Sequence, residues 1–368
     1  MLVPYQMSEN CSNYNVTFLT FYKYFTMKWE NSVLLFVVIS FSFINFITSF
    51  LSIFVFKKLW YKSIMQKNLL FLSSAEFVFN LCNFSFVITL LMLPSTNSHF
   101  NNNTIRVKIL INFLTISFYF INCFLTVRNW CIVIIAASRC EAISRPLQVR
   151  RRKIFNFFNT IFILMIVLVI SITFATIRLF EYTFIICKHS GVIQKMKLIL
   201  DSSWFYNKFY KIVIFFGFQT VLPIIVISIS TIVITKSINA STMTNNRRNQ
   251  IKVTKTVNFL LLTFIAFELP MVLLYTIRVI GLISDFNIIN LSIWIGNVLI
   301  TFDSTANFVI YMATMANYRQ SLKLIFCFKS NNPAYSSTMN RIDSITQIHN
   351  PVITENQFFY SNLKNTQC

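Results

Sequence analysis

Residues 107–137 read VKILINFLTISFYFINCFLTVRNWCIVIIAA, and between Lys108 and Arg139 a single charged side chain, Arg128, interrupts the run. At 1.5 Å per residue a helix of this length exceeds the ~30 Å of hydrocarbon in a bilayer. The stretch therefore reads as a membrane span. Six further apolar runs, at about 32–56, 68–93, 155–180, 210–235, 256–281 and 288–316, bring the total to seven. The composition agrees: 55% of the 368 residues are apolar, 42 are Phe, and only 12% are charged, about half the share of roughly 25% usual in soluble domains. Such a chain cannot clothe a soluble surface. The fold class is all-α, a seven-transmembrane helix bundle.

Charge then orients the bundle. The 32 Lys and Arg against 11 Asp and Glu give a net charge of +21. They cluster between the spans rather than along a polar helix face, which argues against nucleic acid as a partner. The loops at 57–67, 139–153 and 236–255 with the tail hold 20 basic residues, and the other side holds 11. By the positive-inside rule the amino terminus is extracellular and the tail cytoplasmic. Sequons at Asn10, Asn15, Asn102 and Asn290 fall on the outer side and are candidate glycosylation sites. The opening MLVPYQMSEN lacks a basic region followed by an apolar one, so the first span is expected to act as its own insertion signal. The expected domains are an extracellular amino terminus (1–31), the bundle (32–316), an amphipathic membrane-surface helix (317–329) and a disordered cytoplasmic tail (330–368). In that surface helix Arg319 and Lys323 share one face, and Cys327 beside it is either a palmitoylation site or a buried thiol.

Enzyme chemistry has little to build on. Four glycines leave no phosphate loop or nucleophile elbow, the eight cysteines include no Cys-x-x-Cys pair, and His99, His189 and His349 lie far apart. No cofactor or metal is expected. What remains is a set of ionisable groups inside the spans: Glu76, Arg128, Glu268 and Asp303. Each would cost ~2.5–3.5 kcal/mol or more facing lipid, so each is expected to point inward and find a partner. Asp303, Asn307 and Tyr311 recur every fourth residue and form one polar stripe. Spacing suggests that Arg128 bridges Glu76 and Asp303, near Asn45 and Asn307. Trp130 points to the opposite side of the third helix. Pro223 and Pro270 lie within spans and are expected to kink them.

These motifs are similar to those of rhodopsin-like G-protein-coupled receptors over about residues 32–328. Ser138-Arg139-Cys140 resembles the acid-Arg-Tyr motif. Asn307-Phe308-Val309-Ile310-Tyr311 resembles Asn-Pro-x-x-Tyr, and Phe267-Glu268-Leu269-Pro270 resembles Cys-Trp-x-Pro, with Phe264 one turn earlier. Pro223 matches the proline of the fifth helix. Asn45 and Glu76 stand where the first two helices carry Asn and Asp. Within that group the likeness is greatest to the nematode serpentine receptor class W, related to FMRFamide-type peptide receptors.

The resemblance implies a multi-pass plasma-membrane receptor that takes an extracellular ligand, a peptide or a small molecule, and engages a heterotrimeric G-protein and arrestin. It assigns coupling and switching to Arg139, Tyr311, Asn307, Pro270, Phe264 and Pro223. Glu268, with Tyr275 two turns further along, is the candidate ligand contact. Either the acid meets a basic peptide or it bonds Tyr275 or Asn297 within the bundle. Three departures stand out. Ser138 replaces an acid and Phe308 a proline, while Leu114 replaces the cysteine expected near the top of the third helix. The resemblance then leaves Cys187 to pair with Cys11. The alternatives are a receptor for small environmental molecules and, with the opposite orientation, a seven-span chemosensory channel. A transporter would need related halves or broken helices, which the sequence lacks.

Overall fold

Hydrocarbon offers no hydrogen bonds, so each crossing segment must satisfy its backbone internally, and the apolar runs fold as helices. The computed structural model describes residues 5–8, 29–59, 64–92, 104–144, 157–179, 182–187, 193–197, 205–239, 245–280 and 286–326. Among these residues seven long helices follow one another: Trp29–Leu59, Ile64–Met92, Thr104–Ser144, Phe157–Leu179, a fifth that is π-helical over Phe205–Val221 and α-helical over Leu222–Asn239, Asn245–Ile280 and Phe286–Thr314. A short eighth helix, Ala316–Phe326, closes the described chain. Met1–Arg319 forms one compact unit and Gln320–Cys368 another, of which only the last turns of the eighth helix are described.

Six helices carry apolar stretches long enough to cross a membrane: Phe36–Leu59, Ile64–Thr89, Asn112–Ala142, Asn159–Ile177, Phe216–Lys236 and Thr254–Leu274. The seventh, Ile295–Thr314, qualifies together with Ala316–Ile325. This is the seven-helix bundle expected from the apolar runs. Two boundaries move. The third helix runs past 137 to Ser144, so Arg139 lies inside it rather than at its end, and the sixth starts at Asn245, which puts Arg247, Arg248, Lys252 and Lys255 on a helix instead of in a loop.

The bundle is apolar outside, and inside it sets rows of polar side chains among the apolar core. Phe36, Phe162 and Ile109 are 70%, 67% and 62% exposed, as lipid-facing side chains should be. The first helix buries Ser42, Asn45, Ser49 and Ser52, and the second buries Ser73, Glu76, Asn80 and Asn83. Both sets share the spacing i, i+3, i+7, i+10, one helical face. The two faces meet: Asn83 Nδ2 donates to Ser42 Oγ at 2.9 Å. The third helix packs against the second, fourth, fifth and sixth and so forms the centre.

The fifth helix shows why Trp130 points away from Arg128. Proline has no N–H and its ring crowds the preceding turn, so Pro223 leaves carbonyls four and five residues back without their usual donors. Those are Gln219 and Phe218. Asn129 Nδ2 donates to the Gln219 oxygen at 3.0 Å, and Trp130 Nε1 donates to the Phe218 oxygen at 3.2 Å. The indole also packs on the Phe218 ring, centroids 4.9 Å apart. The helix is widened to the π form up to Val221, two residues before this proline.

Outside the helices a small sheet forms, which the apolar runs did not foresee. Tyr5–Ser8 (β1) pairs in parallel with Tyr182–Cys187 (β2), with Ser8 opposite Cys187, and β2 pairs antiparallel with Ile193–Lys197 (β3). The run YTFIIC is rich in aromatic and β-branched residues, which suit a pleated strand.

Replacing Trp130 by Phe keeps the ring contact and removes the donor to Phe218. The loss should be about 0.5–1.5 kcal/mol, visible as a lower thermal unfolding midpoint in lipid nanodiscs. An unchanged midpoint would mean that another donor serves this carbonyl.

Candidate functional site

The ionisable groups converge, though not in the arrangement that spacing suggested. Arg128 is fully buried (0% exposed), and Glu268 and Asp303 are equally enclosed. One nitrogen, Nη2, donates both to Glu268 Oε1 at 3.3 Å and to Asp303 Oδ2 in a short contact. The guanidinium also lies over the Phe79 ring, 5.8 Å from its centroid, within cation–π range. A cation on the third helix thus holds anions from the sixth and the seventh.

Glu76 is not the second partner of Arg128. Its Oε1 accepts from Asn307 Nδ2 at 2.6 Å. Helical period gives the face on which a side chain stands, but not the relative depth of two helices, and depth decides which acid the arginine reaches. Asn45 is likewise separate from the charges. Its Nδ2 donates to the Thr301 carbonyl, and its Oδ1 accepts from Thr305 Oγ1, each at 2.6 Å. Amides therefore tie the first two helices to the seventh, and charges tie the third and sixth to it.

Of the two readings of Glu268, this geometry shows a partner within the bundle, Arg128 rather than Tyr275 or Asn297, with Glu268 1% exposed. The side chain of Tyr275 lies outside the described residues, as do those of Cys187 and Asn290. Cys11, Asn10, Asn15, Asn102 and Cys327 lie outside them altogether.

At the other end of the third helix, Arg139 is partly buried and its Nε has no hydrogen-bond partner among the described residues. Ser138, standing in the place of an acid, turns back to its own helix and donates to the Ile135 carbonyl at 2.9 Å. Tyr311 is buried, its hydroxyl without a partner among the described residues, edge-on to Phe56 (5.2 Å) and beside Tyr318 (5.7 Å). Tyr318 meets Ser52 through its hydroxyl at 2.7 Å. Phe308, in the place of proline, packs edge-on to Tyr318 at 6.2 Å, and the seventh helix continues through it to Thr314. Phe264 is fully buried, Pro223 is buried, and Pro270 lies inside the sixth helix, two residues beyond Glu268. No group of His, Cys, Asp and Glu suited to a metal occurs among the described residues.

Sequence reasoning passed over Asn129. The proline in the fifth span was the available signal, because a freed carbonyl inside a membrane needs a donor from a neighbour.

Arg128→Met would leave three buried acids without a cation, a loss of about 3–5 kcal/mol that should abolish surface expression. Glu76→Gln should keep most of it, since a glutamine oxygen still accepts from Asn307. Flow cytometry on intact cells compares the two. Equal loss in both variants would contradict the pairing described.

Residues 79–329 match a family described as serpentine type 7TM GPCR chemoreceptor Srw. No curated protein matches the chain.

Proposed function

Because this chain belongs to the serpentine seven-transmembrane, G-protein-coupled chemoreceptor family Srw, we propose that it is a plasma-membrane receptor whose amino terminus is extracellular and which activates a heterotrimeric G-protein. The observation that carries this reading is Arg139. It stands near the end of the central helix, its Nε unpartnered, with a serine rather than an acid beside it. An arginine with no acid paired to it among the described residues offers donors to an incoming protein. Movement of the sixth helix about Pro270 uncovers it, and Tyr311 swings toward it. Ligand and G-protein both favour that state, so each strengthens the other.

The ligand we propose is a neuropeptide of FMRFamide type, on the resemblance of the third, sixth and seventh helices to receptors for such peptides. A small environmental molecule is the second reading, favoured by the family's description as chemoreceptors. A Cys11–Cys187 disulfide is part of the proposal on the resemblance, with the amino-terminal strand β1 lying beside the strand that ends in Cys187. Glycans at Asn10, Asn15, Asn102 and Asn290, a palmitoyl group on Cys327, and arrestin binding to a cytoplasmic tail complete the proposal.

A neuropeptide-library screen with a G-protein dissociation readout tests the function. Arg139→Ala should reduce the response at least about tenfold, equivalent to ~1.4 kcal/mol, at unchanged surface level. A full response from this variant would remove Arg139 from the coupling site. An amino-terminal tag reached by antibody only after permeabilisation would overturn the orientation and favour the channel.

A further inference from the structure

Three acids share one base at the centre of the bundle. Glu76, Glu268 and Asp303 are 3%, 1% and 0% exposed and come from the second, sixth and seventh helices, around a fully buried Arg128 on the third. Only Glu268 and Asp303 bond the guanidinium. Glu76 has a neutral partner, the Asn307 amide. It is nevertheless near enough for its charge and that of Arg128 to act on each other.

The arginine is correspondingly underused. A guanidinium carries five N–H donors, yet both bonds here come from Nη2, and the buried Nε and Nη1 have no hydrogen-bond partner among the described residues. Buried donors without acceptors are costly, and a bond between two ions is roughly twice as strong as one to a neutral group. A second arrangement, with a carboxylate on those donors, is therefore close at hand. The two acids stand on different helices: Asp303 on the seventh, and Glu268, at 3.3 Å, on the sixth, which carries Pro270 two residues further on. Glu268 is the arm that a moving sixth helix can withdraw.

We propose that Arg128 exchanges carboxylates: with the sixth helix packed in, it holds Glu268 and Asp303, and with that helix displaced it keeps Asp303 and takes Glu76 in place of Glu268. The inference rests on the receptor reading only for the direction in which the sixth helix moves. Glu268 then acts as a latch on the packed state, and Glu76 as the acceptor that makes the displaced state stable. Asn307, bonded to Glu76 in the packed state, is released by the exchange.

The test follows the sixth helix directly and needs no ligand. Full-length protein in lipid nanodiscs carries fluorophores on unnatural amino acids at Ala142 and Lys255, and single-molecule energy transfer reads the distance between the end of the third helix and the amino-terminal third of the sixth. Glu268→Gln should increase the long-distance population about threefold or more, and adding Glu76→Gln should reverse most of that gain. No change in Glu268→Gln, or no reversal in the double variant, would overturn the exchange. If Glu268→Gln does not fold, Glu268→Asp keeps the charge, lengthens the contact and should shift the population the same way. A folded Glu268→Asp with wild-type distances would be equally decisive against it. G-protein nucleotide exchange measured on the same samples separates the two readings: distances that shift without nucleotide exchange support the carboxylate exchange and reject the G-protein assignment.

Discussion

A guanidinium buried inside a bundle of apolar helices constrains everything near it. It cannot be left unpaired, so the third helix must sit where acids from two other helices reach it, and this sets the rotation of all three. Arg128 with Glu268 and Asp303 fixes the third, sixth and seventh helices, while Asn45 and Asn307 fasten the first and second helices to the seventh. The fourth and fifth attach differently, through Tyr210 to the Phe174 carbonyl, the Phe174–Phe218 ring pair, and the two donors aimed at the carbonyls freed by Pro223. Ionic and amide contacts between side chains join the first, second, third, sixth and seventh helices, whereas ring packing and single donors to backbone carbonyls join the fourth and fifth.

The spans were legible because hydrocarbon admits few exceptions: twenty or more apolar residues with scarcely a charge have little alternative to a membrane helix. The inward direction of Glu76, Arg128, Glu268 and Asp303 was legible for the same reason. Their pairing was not. Glu76 and Glu268 are both acids on inward faces, and choosing between them requires the offset of one helix against another, which arises from packing along the whole interface. The widened fifth helix and the role of Asn129 were hidden for a related reason, since a lone proline signals lost donors without saying which neighbour replaces them. The strand pairing of Tyr5–Ser8 with Tyr182–Cys187 joins segments far apart in the chain, and no local period announces it.

Ser138, beside Arg139, bonds its own helix. Glu268, two residues before Pro270, meets a cation. An ionic restraint thus lies at the core of the bundle.

The phenylalanine at 308 has a mechanical consequence. With no proline there, the seventh helix is continuous from Phe286 to Thr314, and its break comes only at Met315, where the Tyr318 and Arg319 amides both turn to the Met315 carbonyl. Asp303, Asn307 and Tyr311 therefore ride on one stiff rod. That rod joins the ion pair directly to the aromatic cluster of Phe56, Tyr311 and Tyr318, two turns away.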